Sequence, residues 1–578
     1  MTTATQQYEL VEVLHSQLRA GTLEQRAAAA SQLAEIKATE QTEVVVTRYD
    51  KFWNRVGVIG DYMELTADIP RNTTPTCDFV VKGGDGISTE GPSAPDPHIP
   101  ALRKCRKELV PITVEVGPVR WAGFVDHTKY NFKDGRRTLT ANCLGIFDIL
   151  NYIYVLPTWW LPIQVQPISH AVFIGPIVSC IESMIAEQAL RLQSGMWEFV
   201  NQALSLNPDM RAWFGTLLQH NGNIFQALKT PMYVVRTNIL KDTSMLVART
   251  VRMEKVGAVI EDMTKAYGVD VRMDLWMPGD PQPDRWANLQ QPTYVVTVKD
   301  RLPVTGPTNT IIDSILKTVV DLGGAFFGEI RGVIEQAPGA EGVFISRLAG
   351  VDFEQPIAVL VDGPDTPMLE FSIDDYHPRG HTMLLGGRSP TWVNNLINIT
   401  LSWLIDSLMI FIGITGVPSN LLDGFLNDAF LAFQSIQLYD RRNEVGPYGR
   451  PENFLPTAAA PYNIEAIFSF VNHIWDTRGW RAATAKFRNG KPFSLGKHFV
   501  PGGMMSIAHR DTPWSEWELY TDYVEHIFIR DNRNERAEIT VQIGDAKALE
   551  GPLARTQRWA TGAMEAVNVL TLAPRTSS

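Results

Sequence analysis

The sequence predicts an α+β, multidomain chain: antiparallel β-barrel-like domains, interrupted by helical and α+β insertions and by a hydrophobic helical hairpin. Three observations carry this. Apolar residues alternate with period two across 43–145 and again after 521. Between these regions the apolar period lengthens to that of a helix several times. And one stretch, 392–438, is far more apolar than its surroundings.

The elements follow in order. Residues 1–40 read as a helical arm. Leu10, Val11, Val13 and Leu14 give its first helix an apolar face, Gly21 stops it, and Thr22 with Gln25 forms a capping box for the second. This stretch lacks the basic start and apolar core of a secretory signal, so we expect a protein made and assembled in a cytoplasm. From 43 to 145 we expect a first β domain. EVVVTRYD, GVIGDYMEL, ITVEVG and VRWAGFVDHTKYNF alternate, and Asp134-Gly135 marks a two-residue hairpin turn. Residues 82–100 are a Gly/Pro/Ser-rich loop.

A helical insertion is expected over 146–230, opening irregularly around Trp159 and Trp160 and continuing as IVSCIESMIAEQALRLQ. An α+β domain spans 231–391, with strands at PMYVVRTN, VDVRMDLW and TYVVTVKD and helices at VRMEKVGAVIEDMTKAYG and TNTIIDSILKTVVDLGGAF. The hairpin takes 392–438. A loop-rich and helical segment follows over 439–520, and the last part, 521–578, opens with a β hairpin, TDYVEHIFIRD to ERAEITVQIG, and ends in a helical piece and a polar tail.

The hairpin has two arms, LINITLSWLIDSLMIFIGITGV (396–417) and NLLDGFLNDAFLAFQSIQL (420–438), separated by Gly413, Gly416, Pro418 and Ser419. The first arm would extend roughly 33 Å as a helix, close to the ~30 Å hydrocarbon core of a membrane. Yet Asn395, Asn398, Ser402 and Asp406 form a polar stripe on it, and Asn420, Asp423, Asn427 and Gln434 do so on the second arm. A carboxylate near the centre of a lipid-facing span is costly. The stripes therefore favour helices that pack on one another over a resting membrane anchor; a hairpin that meets a membrane later stays open.

The chain has 578 residues and a net charge of −11, which argues against a general nucleic-acid-binding surface. Cys77, Cys105, Cys143 and Cys180 are widely spaced, so free thiols are expected rather than a zinc site or disulfide framework. Asp374, Asp375, His377 and His381 are the only concentrated metal-ligand types, weak candidates because Pro378 and Gly380 prevent a helix that would align the histidines. Asp126 and His127 are strand neighbours and should face opposite sides. Glu182 and Glu187 are read as a solvated helical face. No nucleophile elbow, zincin motif or phosphate loop is present. No catalytic residue, metal or cofactor is expected, and the protein is read as a non-enzyme.

The runs VNHIWDTRGWRAATAKF (471–487), FSLGKHFVPGGMMSIAHRDTPWSEWELYTDYVEHIFIRDN (493–532), VVVTRYDKFWNRVGVIGDYMELTADIPRN (44–72) and PVRWAGFVDHTKYNFKDGRRTLTANCLGIFDIL (118–150) resemble the minor tail proteins of siphophages that infect mycobacteria and related actinobacteria. The resemblance implies a virion tail-hub protein built of β-barrel-like hub domains. It implies a homotrimer that forms a ring at the distal end of the tail tube, through which DNA passes without being specifically bound. Its partners would be the distal tail protein, the tape measure protein and other minor tail or tip proteins. Within such a ring the hairpin would plug the lumen or later contact the host envelope, through Leu396, Ile399, Leu401, Trp403, Leu404, Ile405, Leu408, Ile410, Phe411, Phe425, Leu426, Phe430 and Phe433. The alternatives are a tail-associated cell-wall hydrolase and an envelope-receptor-binding tip protein.

Overall fold

The computed structural model describes residues 44–83, 98–193, 232–384, 435–454 and 477–544, apart from short internal stretches, together with Val13 and parts of 558–569. Seven antiparallel strands open it: β1 (Val44–Tyr49), β2 (Arg55–Val58), β3 (Tyr62–Pro70), β4 (Thr76–Lys82), β5 (Pro111–Val116), β6 (Val119–Lys133) and β7 (Arg136–Gly145). Their spatial order is β2-β1-β5-β6-β7-β4-β3. Alternation sets which face is buried. In β4, Cys77, Phe79 and Val81 point into the core while Thr76, Asp78 and Lys82 face solvent. Phe79 sits opposite Ala141 and Val81 opposite Leu139, so both strands present their apolar face to one side. The predicted turn joins β6 to β7: Lys133 pairs with Arg136, and Gly135 takes φ +78°.

The middle of the chain builds a second core. It contains β8 (Ala171–Pro176), α1 (Ile177–Gln193), β9 (Met232–Val234), β10 (Leu246–Val251), α2 (Val256–Lys265), β11 (Val269–Trp276) and β12 (Thr293–Asp300). β8 pairs with β10, and β11, β12 and β9 form a three-stranded sheet. Ile181, Met184 and Ile185 of α1 and Val259, Ile260 and Met263 of α2 fill the space between them. A smaller third core gathers around α3 (Ile311–Phe327) and four two-residue strands, β13 (Val304–Thr305), β14 (Glu335–Gln336), β15 (Phe344–Ile345) and β16 (Asp352–Phe353).

Most of the C-terminal strands return to the first sheet, and three form a small sheet of their own. In chain order the C-terminal strands are β17 (Val359–Val361), β18 (Met368–Tyr376), β19 (Thr382–Leu384), β20 (Ser435–Gln437), β21 (Glu452–Phe454), β22 (Trp480–Arg488), β23 (Met504–His509), β24 (Glu518–Asp531) and β25 (Glu538–Ile543), with α4 (Tyr439–Val445) after β20. β24 connects the parts. Its first half pairs with β23, its second half with β25 on one side and β3 on the other. A 13-stranded sheet results, with the main path β18-β22-β25-β24-β3-β4-β7-β6-β5-β1-β2. Its core mixes Phe79 and Leu139 with Phe487, Ile527 and Val541, all fully buried.

The expected barrels are not closed among the described residues; the path ends at β18 and β2. The chemistry of the β18 edge explains its end: exposed Glu370, Asp374 and Asp375 protect a strand that takes a neighbour on one side only. Two further expectations change. The predicted second hairpin helix was carried to Leu438, but Ser435–Gln437 is strand β20, with Ile436 paired to Met383; cross-strand pairing overrides the helical spacing there. The stretch from Arg441, read as loop, begins inside α4, which Gly446 ends at φ +79°. Its residues are too polar to show a helical apolar period.

Candidate functional site

The metal-ligand candidates are spread apart. Asp374 and Asp375 lie at the end of β18, where neighbours alternate in face. Asp375 is engaged by Arg481, whose Nη2 lies 3.1 Å from Oδ2 and whose Nε donates to Oδ1. Arg481 also donates to Glu518. The hydrogen bonds from Arg481 hold the Asp375 carboxyl below its usual range. His377 is exposed, whereas His381 is buried with Nδ1 3.1 Å from Thr382 Oγ1. Among the described residues, no three His, Cys, Asp or Glu side chains are grouped as a metal would require.

Glu182 departs from expectation. It is 1% exposed and accepts from Thr237 N–H and Oγ1, both at 2.7 Å. Burial raises its pKa, against those two hydrogen bonds. Its partner is distant in sequence, so helical spacing alone did not show the burial. Asp126 and His127 are both exposed, at a register shift in β6 that breaks strict alternation. The four cysteines are free, and burial pushes the Cys180 thiol up to about 12.

A polar cluster forms a seam between the first two cores. Asn72, in the left-handed region at φ +54°, extends its amide along β11: Nδ2 donates to Val269 O at 2.9 Å and Oδ1 accepts from Val271 N at 2.8 Å. The preceding Arg71 is buried, donates to Glu525 at 2.9 Å and lies 4.5 Å from the Tyr523 ring centre. Burial opposes its charge, but Glu525 and the neighbouring acids outweigh that and raise its pKa. Asp522 accepts from Tyr523 N and Tyr520 Oη, yet burial carries its pKa to about 6. Asp270 receives Arg272 Nε at 2.9 Å and Arg301 at 3.4 Å. Gly502, at φ +76°, leaves Asp270 room: a Cβ there would fall 2.9 Å from its Cγ. The cavity along this seam holds about 100 Å³, too little for an organic substrate. The seam locks two cores together; it presents no nucleophile and base pointed at a common open space.

The hairpin residues named above, Leu396 to Phe433, lie outside the described residues, but their attachment is visible. β19, β20 and β21 form a three-stranded sheet in which Leu384 pairs with both Ser435 and Phe454. Residues 385–434 therefore leave β19 and re-enter at the position directly across the ladder. Residues 455–476 leave β21 from the same end. The chain resumes at Thr477, whose carbonyl accepts from Arg379 N at 2.8 Å. Arg441 Nη1 braces this base on Gly380 O at 3.3 Å and Thr477 Oγ1 at 3.1 Å. Among the described residues no helix is long and apolar enough to cross a membrane.

The described residues form a β-rich scaffold, with residues 385–434 inserted between the paired strands β19 and β20. The family model of Siphovirus ReqiPepy6 Gp37-like proteins matches residues 45–545, and the chain belongs to that family. This bears out the siphophage resemblance read from the sequence. No curated protein matches by sequence. Similar solved structures include the tail protein from Neisseria meningitidis MC58 (9% identity, TM-score 0.36, covering 89% of this chain and 99% of that one). The 43 kDa tail protein of prophage MuSo2 from Shewanella oneidensis is another (8%, 0.38, 88% and 100%). A third is prophage tail protein gp18 from Listeria monocytogenes EGD-e (8%, 0.33, 90% and 99%).

Proposed function

We propose that this chain is a structural protein of the siphophage virion, a trimeric hub at the distal tip of the tail that closes the tube lumen and gates DNA exit on host contact. The observation that carries the reading is the family match across 45–545, which covers both the scaffold and the excursion. The attachment geometry supports the gating part. A segment entering and leaving at paired positions, Leu384 and Ser435, can move without pulling the scaffold apart. On this reading residues 392–438 of three copies meet on the ring axis as a plug, and on host contact their apolar faces transfer to the envelope. The distal tail protein and the tape measure protein are the neighbours, and the host is a mycobacterium or a related actinobacterium.

Light scattering on the purified protein tests the ring: three times the 64.6 kDa chain mass is expected, and a monomer at micromolar concentration counts against it. A cryo-microscopy map of the tail tip tests the plug, which is lost if 392–438 lies on the outer wall. A second reading, direct contact with envelope saccharide, is favoured by an exposed aromatic edge. Tyr376 stacks on Trp480 at 3.9 Å and 9°, Trp517 lies beneath Arg510, and Trp514 is 94% exposed. Retention of wild-type protein but not Trp514→Ala/Trp517→Ala on purified host envelope would support it.

A further inference from the structure

Strand β10 has one sheet neighbour: among the described residues it pairs with β8 alone. Ile177 N donates to Met245 O at 3.0 Å, in register with those pairs. Ladder bonds in an antiparallel pair come from every second residue. Val247, Arg249 and Val251 therefore bond β8, and the backbone N–H and C=O groups of Leu246, Ala248 and Thr250 point away from it. Leu246 N agrees with this, since it donates to Thr318 Oγ1 of α3 at 2.8 Å. A strand with one open side is a template for pairing with another chain.

A helical stretch from late in the chain lies on this open side. Residues 558–559 and 562–567 are helical. Gly562 is buried against Ala248, and a Cβ on it would fall 1.8 Å from Ala248 O. Ala566, about one turn further on, is fully buried. Glu565 accepts from Thr250 Oγ1. Arg558 Nη1 lies 2.6 Å from Asp262 Oδ2 of α2, which Arg249 of β10 also reaches at 3.2 Å. The stretch thus meets Ala248, Arg249 and Thr250 in succession and covers the edge. Its grip there is light. Gly562 and Ala566 bring almost no side chain to bury, and a partly exposed ion pair such as Arg558–Asp262 contributes little.

We propose that this helical stretch is a removable cap, and that the outer edge of β10 beneath it pairs with the β10 edge of a second copy of this chain when the cap lifts. The strand is complementary to itself. An antiparallel pair centred on Ala248 sets Ala248 against Ala248, Leu246 against Thr250 and Val247 against Arg249. The outward N–H and C=O groups then face one another, and no like charges stand opposite. With the cap in place copies cannot pair here, and their association is left to other surfaces. The cap works alike on a monomer and on the trimer of the hub reading.

Light scattering over a concentration series is the test, read as the mass of each variant relative to the full-length wild type. Gly562→Leu should push the stretch off Ala248, and a chain ended after Gly544 lacks it. Both should reach at least twice the wild-type mass at micromolar concentration. Ala248→Pro removes an outward N–H and leaves the bonds to β8, a place where an edge strand tolerates proline. Gly562→Leu/Ala248→Pro should therefore return to the wild-type mass. Arg558→Ala/Glu565→Ala leaves the buried face of the stretch unchanged and should shift the mass in the same direction as Gly562→Leu. It is the variant to read if circular dichroism shows Gly562→Leu to be misfolded. Hydrogen exchange over Leu246–Val251 should quicken in dilute Gly562→Leu and slow as that variant associates. Wild-type mass in all three uncapped variants overturns the proposal. Association that survives Ala248→Pro overturns it too, because another surface then carries it.

Discussion

Around the first core, on the surface of its sheet, Arg530 of β24 bonds Glu64 of β3 across 466 residues of chain. In the second, Arg301 reaches Asp270 across 31. One core joins the two ends of the sequence, and the other is built mainly from the middle around α1 and α2, with Tyr49, Trp53 and Ala122 packed into it. Ordering a long loop before its contacts form costs chain entropy and slows folding. The second core can therefore assemble first and bring β3 and β24 together, with the Arg71–Asn72 corner as the link between them. The comparison separates a mainly local unit, which Trp53 and Glu565 reach only at its margin, from a unit whose sheet is built from both ends of the chain.

The strongest way to break this comparison is to remove β24 and β25 by ending the chain after Trp517. Hydrogen exchange should then show loss of protection over 44–145 and a much smaller loss over 171–300, where Arg558 and Glu565 no longer reach Asp262 and Thr250; retained protection in the first stretch would contradict the dependence. Next in size is Arg71→Ala, which strands Glu525 in the seam. It should cost about 3–5 kcal/mol in urea unfolding, and Arg71→Met/Glu525→Leu should recover much of the loss. The third is Asp522→Asn. The folded-state pKa of Asp522 is raised to about 6 from 3.8, so ionising it costs stability progressively as pH rises between those values. The variant should be more stable at pH 7, by roughly 3 kcal/mol at most, and its melting temperature should vary less across pH 4–6. If the pH dependence is unchanged, the assignment to Asp522 fails.

A smaller effect sharpens the local side. Glu182→Ala leaves the Thr237 N–H and hydroxyl without their acceptor and should cost about 1–3 kcal/mol, with unfolding of the second core reporting it. Smallest is Lys486→Ala, which removes a surface ion pair with Glu538 at 3.0 Å; a change above about 1 kcal/mol would be unexpected.

The same division decides what the sequence revealed. Local signals were legible: Asp134-Gly135 placed the β6–β7 turn, helical spacing placed α1 and α3, and clean alternation placed β24 and β25. The pairing of β24 with β3 was not, because strand alternation names a buried face but no neighbour. β22 was missed since RAATAKF is small and weakly apolar, and it becomes a strand by lying between β18 and β25. The seam was invisible for another reason. Its corner rests on the left-handed backbone of Asn72 and on Asp270, Arg301 and Glu525, which only the fold brings near.

The pairing of Leu384 with Ser435 has a consequence for how this chain can vary. Closing a loop of n residues costs an entropy that grows only as the logarithm of n, about 0.6 kcal/mol per doubling. The ladder from Thr382 to Leu384 meets that cost at the neck, whatever lies beyond it. The apolar insert is therefore expected to behave as an exchangeable cassette. A chain in which residues 386–433 are replaced by a two-residue turn is expected to keep the β19–β20 pairing, and hydrogen exchange over Thr382–Leu384 checks it.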